Sequence, residues 1–207
     1  MLARTLTGFT IVAVITTANY VWNGWPLVAL MGAIFGLGWY EIWTVSEVTA
    51  GPIREKCWAL LTLVLFAALS VINLRQHYGP NPTIFLFATL WASDTTAYLV
   101  GRRFKDGYKF SKVSPNKTLA GLIAGFTAAL CVANIAHVVL PRVEALVICL
   151  TAGALAPVGD LLFSSFKREC DVKDFSTVLP GHGGILDRFD SLTFSSIGVY
   201  LFLSLIH

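Results

Sequence analysis

Ala145-Leu146-Val147-Ile148-Cys149-Leu150-Thr151-Ala152-Gly153-Ala154-Leu155-Ala156-Pro157-Val158-Gly159-Asp160-Leu161-Leu162-Phe163-Ser164-Ser165-Phe166 runs for 22 residues with one charge, an aspartate in its second half. A helix of about 20 apolar residues spans a bilayer core, so this stretch reads as a transmembrane helix. Six further stretches fit the same template, and the seven lie at about 6–22, 26–45, 57–74, 82–101, 118–140, 145–166 and 191–206. Asn23-Gly24-Trp25-Pro26, Gly79-Pro80-Asn81-Pro82 and Pro141-Arg142 punctuate them as turns. The last stretch is short and the first two lie close together, so six spans is the competing count. Of the 207 residues, 56% are hydrophobic and 13% charged, and the mean hydropathy is +0.70. A water-soluble globular domain has about a quarter of its residues charged, so soluble, disordered and disulfide-stapled classes are excluded. The expectation is an all-α, polytopic transmembrane helix bundle of about seven helices, residues 1–207 forming one integral membrane domain.

The charges are few but ordered. Of fifteen Lys and Arg, thirteen fall on one side of the seven-span scheme, and only Arg75 and Arg142 fall on the other. Positive loops stay in the cytoplasm, so the N-terminus is expected inside and the C-terminus outside. The Met1-Leu2-Ala3-Arg4 start has no convincing cleavage site after its apolar run and reads as a retained helix. Cys57, Cys131, Cys149 and Cys170 lack metal-ligand spacing and read as buried thiols.

Ionisable groups at membrane depth are costly and mark function by default. Glu41, Asp94 and Asp160 are such groups. Asp94 and Asp160 reach similar depths near the cytoplasmic ends of their helices, whereas Glu41 reads mainly as a side chain extending to the interface. Asp187 and Asp190, spaced i and i+3, share a face where the last helix begins. Four carboxylates, Asp94, Asp160, Asp187 and Asp190, are therefore expected around one cytoplasm-facing cavity. Crowded carboxylates repel unless protonated or bridged, and hard oxygen donors suit Mg²⁺. The structural alternative is that Asp187 or Asp190 caps the last helix and Asp160 pairs with Lys167.

Two loops surround that cluster. The basic loop 102–118 carries Ser114-Pro115, which reads as N-cap and first residue of the fifth helix. Flanked by Lys112 and Lys117, that helix start suits a phosphate, while a purely topogenic loop that touches anionic lipid is the alternative. No aromatic-interleaved basic surface points to nucleic acid. Loop 167–190 is long for a membrane hairpin, and its Pro180-Gly181-His182-Gly183-Gly184 step would let backbone approach a phosphate.

Read continuously, Ser164-Ser165-Phe166-Lys167-Arg168, four residues, then Lys173-Asp174-Phe175-Ser176-Thr177-Val178-Leu179-Pro180-Gly181-His182-Gly183-Gly184-Ile185-Leu186-Asp187-Arg188-Phe189-Asp190 resembles the signature of the phosphatidate cytidylyltransferases (CDP-diacylglycerol synthases). Gly159-Asp160, Asp94-Thr95 with Ala97-Tyr98, and Ser114-Pro115 with Lys117-Thr118 resemble further segments of that family. The resemblance is specific over roughly 91–193, its catalytic portion, and weak before it. Thr96, Leu119-Ala120 and Phe163 depart from the usual Gly, Trp-Glu and Glu, and the N-terminal half looks shortened.

The resemblance implies a reaction of CTP with phosphatidate that yields CDP-diacylglycerol and pyrophosphate. It implies that Asp160, Asp187 and Asp190 hold Mg²⁺ and a second cation, either K⁺ or Mg²⁺. Asp160, Lys167, Arg168, Lys173, Asp174, His182, Asp187 and Arg188 would form the catalytic set. Asp94, Tyr98, Ser114, Lys117, Thr118, Ser164, Gly183 and Gly184 would bind substrate. The partners would be CTP, phosphatidate and membrane lipid, and a shortened bundle leaves lipid-facing surface for a homodimer. Competing readings are a cytidylyltransferase for another lipid phosphate such as an isoprenoid ether lipid, a transporter or channel, and a non-catalytic membrane homologue. The clustering of carboxylates near one face disfavours a transport path, which would spread them across the membrane.

Overall fold

The computed structural model describes residues 13–49, 51–105, 107–109, 114, 117–176 and 183–207. A helical segment over 13–20 and a 3₁₀ turn at Val21–Gly24 precede six long helices: α1 (Trp25–Val48), α2 (Pro52–Tyr78), α3 (Pro80–Arg103), α4 (Leu119–Ala136), α5 (Arg142–Glu169) and α6 (Leu186–Ile206). Six helical runs are long and apolar enough to cross a membrane, and the first of them, Ala13–Glu47, contains the 3₁₀ turn. Trp22, Asn23 and Gly24 take φ of 45°, 54° and 83° there, a left-handed break that divides the run where the first two expected spans meet. Among the described residues there is no strand, and Lys109 and Thr118 form an isolated antiparallel bridge.

Two helix starts differ from the sequence reading. The fourth long helix is capped by Thr118, not by Ser114: Thr118 is extended (φ −103°, ψ 151°) and its hydroxyl accepts from Gly121 N at 3.2 Å. The cause is the local bridge, in which Leu119 N donates to Tyr108 O at 2.9 Å and holds Thr118 out of the helix. Pro115 lies outside the described residues. The last helix starts at Leu186 and reaches 21 residues, so Asp187 and Asp190 are helical and that span is not short.

Packing follows membrane rules, in which close backbone approach replaces the hydrophobic drive between helices. A side chain at Gly121 would meet Ala97 O of α3 at 2.7 Å, and one at Gly125 would meet Ser93 Oγ at 2.8 Å. These two positions let α3 and α4 close. Ser195 Oγ donates to Ala152 O across α6 and α5, and Ser196 Oγ to Ala67 O of α2. One buried cluster around Leu27, Met31, Leu74, Leu86, Ile148 and Val199 fills the bundle. A second, with Ile42, Cys57, Leu60, Phe163, Phe166, Phe175 and Leu186, lies beneath the loop that joins α5 to α6.

The ends of the bundle differ. At one end Arg75 Nε donates to Asn19 O and His207 meets Glu144. The other end gathers Lys56–Glu169, Lys117–Asp160 and Lys167–Asp187. All four cysteines are free, but they are not uniformly buried: Cys57 and Cys149 are enclosed, Cys170 is intermediate and Cys131 is exposed on α4, a helix whose Ile123, Phe126 and Ile135 also face outward.

Candidate active site

Three helices frame a cavity of about 930 Å³ at the basic end. α3 supplies Asp94, Tyr98 and Arg102, α4 begins at its wall with Thr118 as cap, and α5 supplies Asp160. Lys105, Lys109 and Lys117 enter from the basic loop and Arg188 from the first turn of α6. Five cationic side chains and two aspartates thus line one space. Ala97, Gly121, Leu122, Gly125 and Pro157 give it an apolar flank. Asp160 forms an ion pair with Lys117 and accepts from Ser164 Oγ at 3.3 Å. Asp94 and Asp190 lie within electrostatic reach of Asp160, and Asp190 Oδ1 accepts from Ser191 N at 2.6 Å.

Asp187 occupies a different setting. Lys167 Nζ stands 2.5 Å from its Oδ1, while Oδ2 accepts from Phe175 N at 3.1 Å and Gly184 N at 2.9 Å. The side chains of Lys167 and Asp187 are 11% and 5% exposed, and the Phe175 ring lies 5.5 Å from the ammonium. Spacing puts Asp160, Ser164 and Lys167 along one face of α5, yet Lys167 pairs across to α6 rather than along its own helix with Asp160.

Several sequence expectations are therefore redistributed. Asp94, Tyr98, Lys117, Thr118, Asp160 and Arg188 meet at the cavity, with Ser164 behind Asp160. Gly183 and Gly184 do not open onto it. Gly183, at φ +83°, stands against Asp187 and Asp174, and a side chain at Gly184 would meet the Glu41 carboxylate at 2.9 Å. Arg168 donates to Val172 O at 3.2 Å and closes the end of α5, Lys173 is exposed in the following loop, and Ser114 O accepts from Lys117 N at 3.0 Å. His182 lies outside the described residues. Among the described residues no three His, Cys, Asp or Glu side chains already stand grouped around one point. Two ammonium groups pair with two of the carboxylates separately: Lys117 with Asp160 and Lys167 with Asp187.

The sequence placed Glu41 at membrane depth but suggested a side chain extending to the interface, whereas it is fully buried and bonded to the start of α6. Its acidity at membrane depth was the available signal; its partners lie more than 130 positions away. Arg102, Lys105 and Lys109 were noticed only as members of a basic loop.

A family model described as the cytidylyltransferase family matches residues 3–206. A phosphatidate cytidylyltransferase of Bacillus subtilis is 38% identical over 141 residues, which cover 66% of this chain and 52% of that protein. One from Haemophilus influenzae is 39% identical over 157 residues, 69% of this chain and 54% of its own. A phosphatidate cytidylyltransferase of Rickettsia conorii is 27% identical over 186 residues, 85% of this chain and 80% of its own. The chain spans about half the length of the first two relatives.

Proposed function

Because the chain belongs to the cytidylyltransferase family, we propose that it transfers the cytidylyl group of CTP to the phosphate of phosphatidate, leaving CDP-diacylglycerol in the membrane and releasing pyrophosphate. The observation that carries this reading is the single cavity in which five cationic side chains and two aspartates adjoin an apolar flank at the basic end of a membrane bundle. Both reactants are polyanions, so the barrier includes bringing negative charges together, and preorganised cations are the means of lowering it.

An oxygen of the lipid phosphate attacks the α-phosphorus of CTP. The new P–O bond forms as the bond from that phosphorus to the bridging oxygen of pyrophosphate breaks. A phosphate monoester is already anionic near neutral pH, so no general base is required. Arg102, Lys105, Lys109 and Lys117 are assigned to the triphosphate, and Arg188 to the phosphates where attack occurs. Ala97, Leu122 and Pro157 are assigned to the glycerol and upper acyl chains. The donor chemistry fits Mg²⁺, since Asp94, Asp160 and Asp190 are all hard oxygen donors within electrostatic reach of one another. Asp160 and Asp190 would hold it, Asp187 being the third position that the family resemblance implies, with K⁺ or a further Mg²⁺ as the second ion. When bound, the cation offsets charge on the phosphates.

The reading places the cavity and loops 102–117 and 167–190 in the cytoplasm. A cysteine introduced at Lys109 is then protected from an impermeant reagent outside sealed cells, and one at Arg142 is labelled; the reverse pattern would invert the bundle. Lipid-facing residues such as Ile123 and Ile135 leave room for a second copy, and cross-linking in native membranes would reveal the homodimer. The decisive experiment is pyrophosphate release from CTP by the purified protein in mixed micelles. Release that requires phosphatidate supports the proposal, release only with an isoprenoid ether lipid phosphate replaces the substrate, and no release with any lipid phosphate removes the enzymatic reading.

A further inference from the structure

We propose that Glu41 is a positioning residue for the transferase site: from α1 it holds the first turn of α6 and thereby fixes where Asp187 and Arg188 stand. The inference rests on the transferase reading above. Its starting point is a carboxylate with no exposure at all, far from the signature in sequence. Glu41 Oε1 accepts from Ile185 N at 2.7 Å and from Ser176 Oγ at 2.5 Å, and Oε2 accepts from Leu186 N at 3.0 Å.

A helix start leaves backbone N–H groups without intrahelical partners. No side chain of the loop caps α6 from its N-cap residue, Ile185. Glu41 does so from another helix, and its negative charge sits at the positive end of the α6 dipole. The neighbouring backbone is shaped to admit it. Gly184 is buried, and a methyl group there would lie 2.9 Å from both carboxylate oxygens.

The consequence runs along four successive residues. Ile185 and Leu186 are pinned through their amides by Glu41, Asp187 is paired with Lys167, and Arg188 lines the cavity. Ser176 ties the loop between α5 and α6 to the same carboxylate, while Phe175 N, one residue earlier, is bonded to Asp187. Freeing the first turn would displace both charged groups together. A shift of about 1 Å in positioned groups can lower turnover by about a hundredfold. A carboxylate used only as packing support would leave turnover per folded molecule alone.

The test measures kcat and KM for CTP with Glu41→Gln, Glu41→Asp and Gly184→Ala, each normalised to folded, detergent-extracted protein. Gln keeps the length but places an NH₂ against backbone donors, Asp is one methylene too short, and Ala at position 184 crowds the carboxylate. The expected result is a fall in kcat of about tenfold or more, with KM for CTP changed less than about threefold. Hydrogen exchange at 184–188 should quicken in the same variants while that of α2 and α3 is unchanged. Normalised kcat within about twofold of the parent in the variants that fold overturns the proposal, whatever happens to thermal stability. If Glu41→Gln does not fold, Glu41→Asp and Gly184→Ala decide by the same criterion. A parent protein that releases no pyrophosphate with any lipid phosphate refutes the transferase reading instead; the exchange at 184–188 then decides separately whether Glu41 holds the start of α6.

Discussion

Asp160 and Asp187 are both aspartates at the basic end of the bundle, and each is paired with a lysine, but they are built into different surroundings. Asp160 is 35% exposed, opens on the cavity and has one hydroxyl partner besides Lys117. Asp187 is 5% exposed, and both its oxygens are committed, one to Lys167 and the other to two backbone amides. The first carboxylate is placed where a ligand can reach it. The second ties the loop after α5 to the first turn of α6, much as Glu41 does from the other side. Charge alone does not distinguish them; the number of internal donors does, because each satisfied lone pair raises the cost of releasing the group to anything else.

The largest expected effect tests whether the two act as one unit despite this difference. Asp160→Asn should reduce phosphatidate-dependent pyrophosphate release by about a hundredfold or more, and the double variant with Asp187→Asn should be little worse than the poorer single one. Turnover near normal in both single variants would remove the carboxylates from the mechanism.

Stability should separate what turnover joins. Breaking an enclosed ion pair leaves an uncompensated charge, so Asp187→Asn should cost about 3–5 kcal/mol in detergent unfolding. Asp160→Asn should cost less, because its carboxylate is 35% exposed, although the Lys117 ammonium it faces is buried. Equal losses would mean that the two settings are energetically alike.

Within the cavity, Lys117→Ala should raise KM for CTP by about tenfold, against about two- to threefold for Lys105→Ala, because Lys117 is held beside Asp160 at the start of α4. Equal, small effects would favour a topogenic role for the loop. Thr118→Ala removes the cap of that helix and should cost about 1 kcal/mol, readable as a lowered Tm with a modest change in KM.

The smallest effect concerns Cys170, just past the end of α5. Burial, with Cys57, Glu169 and Asp171 adding to it, pushes its thiol up to about 11. Only the thiolate is nucleophilic, so maleimide labelling should be slow at about pH 8 and should quicken about tenfold per pH unit until about pH 11. Labelling that levels off near pH 9 would show that the end of α5 is more open than the structure has it.

Much of this was legible in the chain. The seven apolar stretches, the break at Asn23-Gly24 and the thirteen-to-two distribution of Lys and Arg follow from local physics: hydrocarbon must be spanned by about 20 apolar residues, and Gly and Pro interrupt helices wherever they fall. Asp94 and Asp160 could be expected at one cavity because helix direction and depth are set by counting residues, whereas Lys117 and Arg188 joined the expected site through the family resemblance. Ser114 was misread as a cap because the bridge from Tyr108 to Leu119 that displaces the helix start is not visible in composition.

Partnership between side chains was settled by the packing of the helices. Sequence spacing offered Lys167 to Asp160 on the same helix, and the fold gave it to Asp187 across the bundle, leaving Asp160 to Lys117. The glycines 183 and 184, which read as a phosphate cradle, stand against Asp174, Asp187 and Glu41. Residue type and spacing determine which groups reach a given depth, since those are properties of one helix at a time. Which oxygen each donor meets depends on how helices rotate and approach one another. That is set by close contacts such as Gly121 against Ala97 and Gly125 against Ser93, joining residues whose order along the chain carries no record of the encounter.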